Sequence, residues 1–596
     1  MKPVIYQLVV RYFGNTNLSN RTNGSIWTNG CGKFDDINTV ALQALKNLGV
    51  THLWLTGVIR QATLTDYSNI GLPADHPDIV KGIAGSFYAI RDYYDVSPDY
   101  ATAPENRMHE FEALLKRVHD AGLQAIIDLV PNHVSRGYNS VVRPDDNLGS
   151  HDDTTVFFST ANHFFYLVSP PHQSLHLSKP DTWNPPGVTF DGVFSPEDGS
   201  PGHPPKATGN NITSPHPSVT DWYETIKLNY GFNFVYQDTA YNPQPRTWGS
   251  IDAILAYWQA KGVDGFRCDF AHYVPAEAWT YLIAQAKSRR PVYFFGEAYP
   301  FPGSGDPVNS QEQLVQAGFD ALYHYQSYNA LKGVYLSGNL DGYDQELVGP
   351  SPEMRRHFVN YIENHDERRV ASPVVYGKGA GDSGFGSADA GYQLAPLQFL
   401  YGSGPAILFN GQEVGEPGGG QAGFAGDDGR TTIFDYWAMP EFARWVNGHL
   451  YDGASLTPSQ TALRNFYSAL CKLCQHPAVS GDGFWGLRYY DNPGRFDDCP
   501  ADLYAYARFE SGSGQALVVA ANFRAGGGID ARIRIPAELS AAVNFTQDVT
   551  VELVLDREGA ADILVGTWTA EQLTSTGFPV SIPNQTSQVY SLTLTS

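Results

Sequence analysis

From its first residues the chain alternates apolar runs of strand length with amphipathic stretches of helical period. VIYQLVV (4–10) and THLWLTGV (51–58) are β-branched and aromatic runs that predict the first two strands. Residues 105–122, ENRMHEFEALLKRVHDAG, place Met108, Phe111, Leu114, Leu115 and Val118 at helical spacing, with Gly122 as the stop. QAIIDLV (124–130) then predicts a third strand. This strand–helix alternation is the mark of a parallel α/β architecture.

The rhythm breaks after the third strand. The next strand pattern, VDGFRCDF (263–270), is separated from it by far more than the ~30 residues one β/α unit needs. Much of the gap (169–187 and 195–218) is rich in Pro, His, Ser and Gly. A structureless stretch of that length is rare in a compact protein unless it serves a function. After the helical segment 250–262 the alternation resumes. PVYFFGEA (291–298), GFDALYHY (318–325), VNYIENH (359–365) and GPAILFNGQE (404–413) predict strands five to eight. Thr457, Pro458 and Gln460 carry the marks of a helix start and open the last helix of this series, 461–476. Beyond about 480 the pattern changes to short alternating runs, 503–510, 515–523, 531–536 and 549–556, which predict an antiparallel β domain.

Composition narrows the function. The 596 residues carry a formal net charge of −23, which repels phosphate backbones and anionic lipid and so excludes nucleic acid and membrane surfaces as partners. No apolar run approaches the ~20 residues of a membrane span. The N-terminal apolar run lacks a cleavage site and is read as a strand. That implies a cytoplasmic protein, or a secreted one whose leader lies outside this sequence. Five cysteines form no disulfide framework, and Cys471 and Cys474 share one helix face without a second ligand pair.

Four blocks carry candidate chemistry: Asp128-Leu-Val-Pro-Asn132-His133, Gly265-Phe-Arg267-Cys-Asp269, Phe295-Gly-Glu297-Ala and Asn364-His365-Asp366. Each follows a strand pattern, so each puts a carboxylate at the carboxyl end of a strand, where a barrel of parallel strands gathers catalytic groups. Carboxylates closing adjacent strands four and five stand near the ~5 Å separation of retaining glycosidases. Arg267, two residues before Asp269 on a strand, shares its face and favours its ionised form.

In order and spelling the blocks resemble those of the α-amylase family of glycoside hydrolases. The resemblance implies an eight-stranded (β/α)8 TIM barrel (1–133 and 226–480), an inserted domain B (134–225) after strand three, and a C-terminal antiparallel β-sandwich (481–596). It implies Asp269 as nucleophile, Glu297 as general acid/base, and Asp366 as the grip on the hydroxyls of the sugar at the cleavage site. It further implies Tyr88 as a ring stacking on that sugar and His133 and His365 as neutral donors to it. Asp92 and Asp128 are expected to order their loops. The expected activity is retaining hydrolysis of α-1,4 bonds in starch, glycogen or maltooligosaccharides. The alternatives are an α-glucanotransferase, a cyclomaltodextrinase or neopullulanase-like enzyme on the same site, and, remotely, a non-catalytic sugar-binding barrel. Thr225-Ile-Lys227-Leu228-Asn229, where the family spells a fifth block, leans away from α-1,6-acting members.

No cofactor is required for this chemistry. The resemblance also implies a calcium ion at Asn132 pinning the insert, but Tyr273 replaces a usual histidine. The acids of the insert, among them Asp152, Asp153 and Asp181, lack calcium-loop spacing. The expectation is activity that does not depend on calcium; the sequence assigns no metal ligands and no oligomeric state.

Overall fold

The computed structural model describes residues 2–181, 183–299, 309–375, 383–419, 428–488 and 499–595. Eight parallel strands form one sheet: β1 (Val4–Val9), β2 (His52–Thr56), β3 (Gln124–Leu129), β4 (Gly265–Cys268), β5 (Tyr293–Gly296), β6 (Ala321–Tyr323), β7 (Phe358–Val359) and β8 (Ala406–Phe409). Their spatial order is the chain order, with β8 beside β1. The remaining gap, between β7 and β8, is closed by a parallel bridge from Asn360 to Ala406. The sheet is therefore a barrel, as expected. Strands buried on both faces need continuous apolar sequence, and β1 is buried at every position. The helices expected between strands are Arg107–Asp120 and Arg246–Ala260, and the capping box of Thr457 and Gln460 opens Pro458–Leu473.

Two features differ from the sequence reading. The loop after β2 contains an antiparallel pair, Ile59–Gln61 with Ile90–Val96, that the apolar pattern did not single out. The seventh strand is also shorter than VNYIENH suggests. The chain leaves the sheet after Asn360, so Asp366 stands on a loop rather than at a strand end.

The stretch between β3 and β4 is mostly irregular and is tied to the barrel at its root. There His133–Ser135 pairs antiparallel with Thr225–Lys227. Its two small cores are built on Leu175, Leu177 and Phe194 and on Phe165, Leu167 and Phe234. A buried ion pair, Arg136 to Glu197 at 2.6 Å, ties its start to its middle.

The last strands are β9 (Gly483–Gly486), β10 (Leu503–Phe509), β11 (Gln515–Asn522), β12 (Ile529–Ile533), β13 (Val549–Asp556), β14 (Gly559–Trp568), β15 (Phe578–Ile582) and β16 (Ser587–Leu594). Six of them form an antiparallel sheet in the order β9-β10-β11-β16-β13-β14, and β12 pairs with β15. The two sheets share one apolar core, the sandwich expected from the alternating pattern.

Candidate active site

The main-chain ladder continues past the strand ends and fixes the two central acids. Asp269 N donates to Leu129 O at 2.9 Å, and Glu297 N donates to Cys268 O at 2.9 Å. Asp269 directly follows β4 and Glu297 directly follows β5, so neighbouring strands deliver neighbouring carboxyl groups.

Arg267 joins them. Its Nη1 donates to Asp269 Oδ1 at 2.7 Å and its Nη2 to Glu297 Oε2 at 2.8 Å. Asp128 lies 3.6 Å from the same Nη1. The guanidinium is fully buried and faces the rings of Trp54, Tyr88 and Tyr323 at 5.2, 5.4 and 5.6 Å. Asp128 Oδ2 accepts from Gly57 N at 2.9 Å, so it ties the end of β3 to the loop after β2, the ordering role expected of it.

The electrostatics differ from the simple picture of one arginine for one acid. Burial pushes the Asp269 carboxyl well above the ordinary range; Arg267 pulls it down, while Glu297 and Asp366 push it up again. The guanidinium is shared, and burial outweighs it at Asp269. At Asp366, burial also opposes the charge, but His365, Arg267 and Arg430 outweigh it and hold the carboxyl below its usual range.

His365 sits at the centre of a second set of contacts. Its Nδ1 lies 2.8 Å from Gln7 Nε2. Its own Nε2 faces Asp366 Oδ2 at 2.9 Å and Tyr88 OH at 2.5 Å. Asn364 Oδ1 accepts from the backbone N of Asp366 and Glu367, at 2.9 and 3.2 Å, and shapes the turn that carries Asp366. Three residues before Tyr88, Gly85 (φ +74°) passes so close to Ala62 that an added Cβ would lie 1.7 Å from its carbonyl oxygen.

Burial, with the charges of Lys227 and Lys81, lowers His133 to about 3, so its imidazole is neutral. Tyr88, His133, Asp269, Glu297 and Asp366 line one cavity of about 310 Å³. Arg267 and His365 stand behind that lining and are not part of its wall. Asp92 is buried away from it and accepts from Val141 N at 2.8 Å.

Several residues of the site were not read from the sequence. Gln7 was visible as the lone amide in an apolar strand. Phe270 and Tyr299 flank the acids, but only the path of the chain turns them onto Glu297. Lys81 and Glu224, a buried ion pair at 2.9 Å between the loop after β2 and the insert, also line the cavity. No local spacing marks that pair.

The expected calcium position can be tested on its donors. Asn132 Oδ1 accepts from the Lys227 ammonium, which also lies 4.9 Å from the Tyr273 ring. Asn132 Nδ2 donates to Gly209 O at 2.8 Å. A divalent cation would need that oxygen within a shell of several others and would sit beside an existing positive charge. The residues at Asn132 do not fit a calcium ion.

A parallel β/α barrel with acids gathered at the carboxyl ends of its strands is the architecture of a barrel enzyme whose site lies at that face. Residues 11–291 match the family model of the alpha amylase catalytic domain. The chain is 23% identical over 388 residues to a cyclomaltodextrin glucanotransferase of Bacillus sp. (strain 1-1), covering 62% of this chain and 45% of that protein. It thus spans less than half of that relative's length. It is also 23% identical over 453 residues to alpha-amylase 3 of Dictyoglomus thermophilum, covering 72% and 71% of the two chains. An alpha-amylase structure from Lactobacillus plantarum superposes with a TM-score of 0.56 at 19% identity, covering 97% of this chain and 98% of that one. Residues 11–291 thus form a domain of the alpha-amylase catalytic type, which supports a glycosidase.

Proposed function

We propose that the protein is a retaining glycosidase that cleaves α-1,4 bonds of starch, glycogen or maltooligosaccharides by double displacement. The observation that carries this reading is the shared arginine. Carboxyl groups hydrogen-bonded to the two ends of one guanidinium, at 2.7 and 2.8 Å, stand side by side. That suits the ~5–5.5 Å of retaining enzymes rather than the ~6.5–9.5 Å that leaves room for water.

In the first step Glu297 gives its proton to the glycosidic oxygen as the C1–O bond breaks, and Asp269 bonds to C1. In the second, Glu297 takes a proton from water as the water oxygen bonds to C1 and the Asp269 ester breaks. Asp366 holds hydroxyls of the flattening ring, contacts that strengthen toward the transition state. Neutral His133 serves as an uncharged donor, His365 orients Asp366 and Tyr88 from behind the cavity wall, and the Tyr88 ring stacks on the sugar.

The test is Asp269→Asn with product NMR. Activity should fall by several orders of magnitude, and the parent should release α-anomers before mutarotation. Initial β-product, or a variant within about tenfold of the parent, sinks the reading.

A second reading has its own support in the glucanotransferase relative. A sugar hydroxyl in place of water would make the same site a transferase. Maltotriose separates the two, because transfer gives chains longer than the substrate.

A further inference from the structure

We infer that Tyr299 is a positioning residue for the proton-transfer steps, keeping the proton of Glu297 on Oε1. This rests on the reading of Glu297 as the acid/base. The two oxygens of Glu297 have different partners. Oε2 accepts from Arg267 Nη2 at 2.8 Å and from Phe270 N at 3.0 Å. A guanidinium and a backbone N–H can only donate, so a proton on Oε2 would point at donors. The acid therefore carries its proton on Oε1.

Oε1 accepts from the Tyr299 hydroxyl at 2.8 Å. A phenol both donates and accepts, so it can serve Glu297 in both protonation states. It donates to the carboxylate and can turn to accept when Oε1 is protonated. Neither partner of Oε2 has that freedom. The asymmetry is built into the backbone. Phe270 lies in the left-handed region at φ 42°, ψ 47°, a conformation costly for a bulky residue, and there its N–H meets Oε2.

The Tyr299 ring is fixed from two sides. It meets Tyr325 edge-on at 4.9 Å and His272 edge-on at 5.5 Å. Tyr299 and Glu297 both line the cavity that a substrate would enter. Tyr299 thus orients the one oxygen from which the glycosidic oxygen can take a proton, and to which water can later return one.

The test compares Tyr299→Phe with the parent on maltotriose and on α-glucosyl fluoride, whose leaving group needs no proton. We expect kcat/KM to fall about tenfold on maltotriose and to stay within about twofold on the fluoride. The ratio of the two is independent of the folded fraction, so partial misfolding cannot produce the split. An equal fall on both substrates makes the ring a purely structural part and overturns the inference, as does no change on either. Glu297→Gln is measured alongside. If it keeps activity on maltotriose, the acid/base reading fails. If it is inactive there while Tyr299→Phe shows no split, only the role of Tyr299 fails.

Discussion

His133 shows how a single buried group links the site to stability. Its imidazole is lowered from 6.5 to about 3, first by burial and then by the charges of Lys227 and Lys81. Between those values the unfolded chain binds a proton that the folded one refuses. Stability from this group is thus complete above pH 6.5 and is lost as pH falls toward 3. The loss is roughly 1.4 kcal/mol per pH unit, or about 2 kcal/mol by pH 5. His133→Gln keeps an acceptor for Asn132 but does not titrate. It should destabilise at pH 7, with the gap to the parent narrowing as pH drops to 5 in thermal melts. A gap that stays constant would mean His133 takes up its proton inside the fold. Residues of this kind were legible because they fall in spelled blocks at strand ends. Asp269 and Arg267 needed only the period of a strand to be placed together, and Glu297 the adjacency of strands four and five. Tyr299 and Glu224 were not legible, because their contacts reach across loops whose paths no local pattern fixes.

At the scale of elements, the insert is held to the barrel by its root strands and by charge. His133–Ser135 pairs with Thr225–Lys227, and the second strand brings the Lys227 ammonium onto Asn132. A lysine there supplies the positive charge that a bound cation would otherwise bring, without a metal's demand for a full oxygen shell. Prolonged dialysis against EDTA should therefore leave both activity and melting temperature unchanged. Lys227→Met keeps the apolar stem but removes the charge from a buried amide oxygen. It should cost about 1–3 kcal/mol and lower the melting temperature by several degrees. A large drop on EDTA treatment, reversed by calcium, would show that a metal does this work instead. The sequence exposed the barrel strands because both faces are buried and the apolar runs are continuous. It did not expose the pair Ile59–Gln61 and Ile90–Val96, whose short ladder is interrupted by register shifts. Nor did it locate the end of β7, where an Asx-type turn at Asn364 replaces the ladder.

Across the whole molecule, the barrel and the C-terminal sheets share a core. Tyr504, Tyr506, Leu517 and Val519 belong to the same buried cluster as the barrel strands. Between the two lies the helix Ala390–Phe399, buried at all ten positions. A helix buried on every side needs cover on every side, apolar or hydrogen-bonding. Phe466, from the helix Pro458–Leu473, meets Tyr392 at 4.8 Å on the barrel side. On the other side, Gln393 Nε2 donates to Asn522 O at 2.5 Å, Ser587 Oγ donates to Gln393 O at 2.6 Å, and Tyr506 OH donates to Leu397 O at 2.9 Å. A chain ending at Ser480 would expose this face and remove the Ser587, Tyr506 and Asn522 partners of its polar groups. We expect it to accumulate as insoluble protein, while the full chain unfolds in calorimetry with barrel and sandwich melting together. Tyr506→Ala in the full chain tests the same contact more gently and should cost about 3–5 kcal/mol, the range for losing a large buried ring. A soluble, active fragment ending at 480, or two well-separated transitions in the parent, would show that the barrel stands without its C-terminal layer.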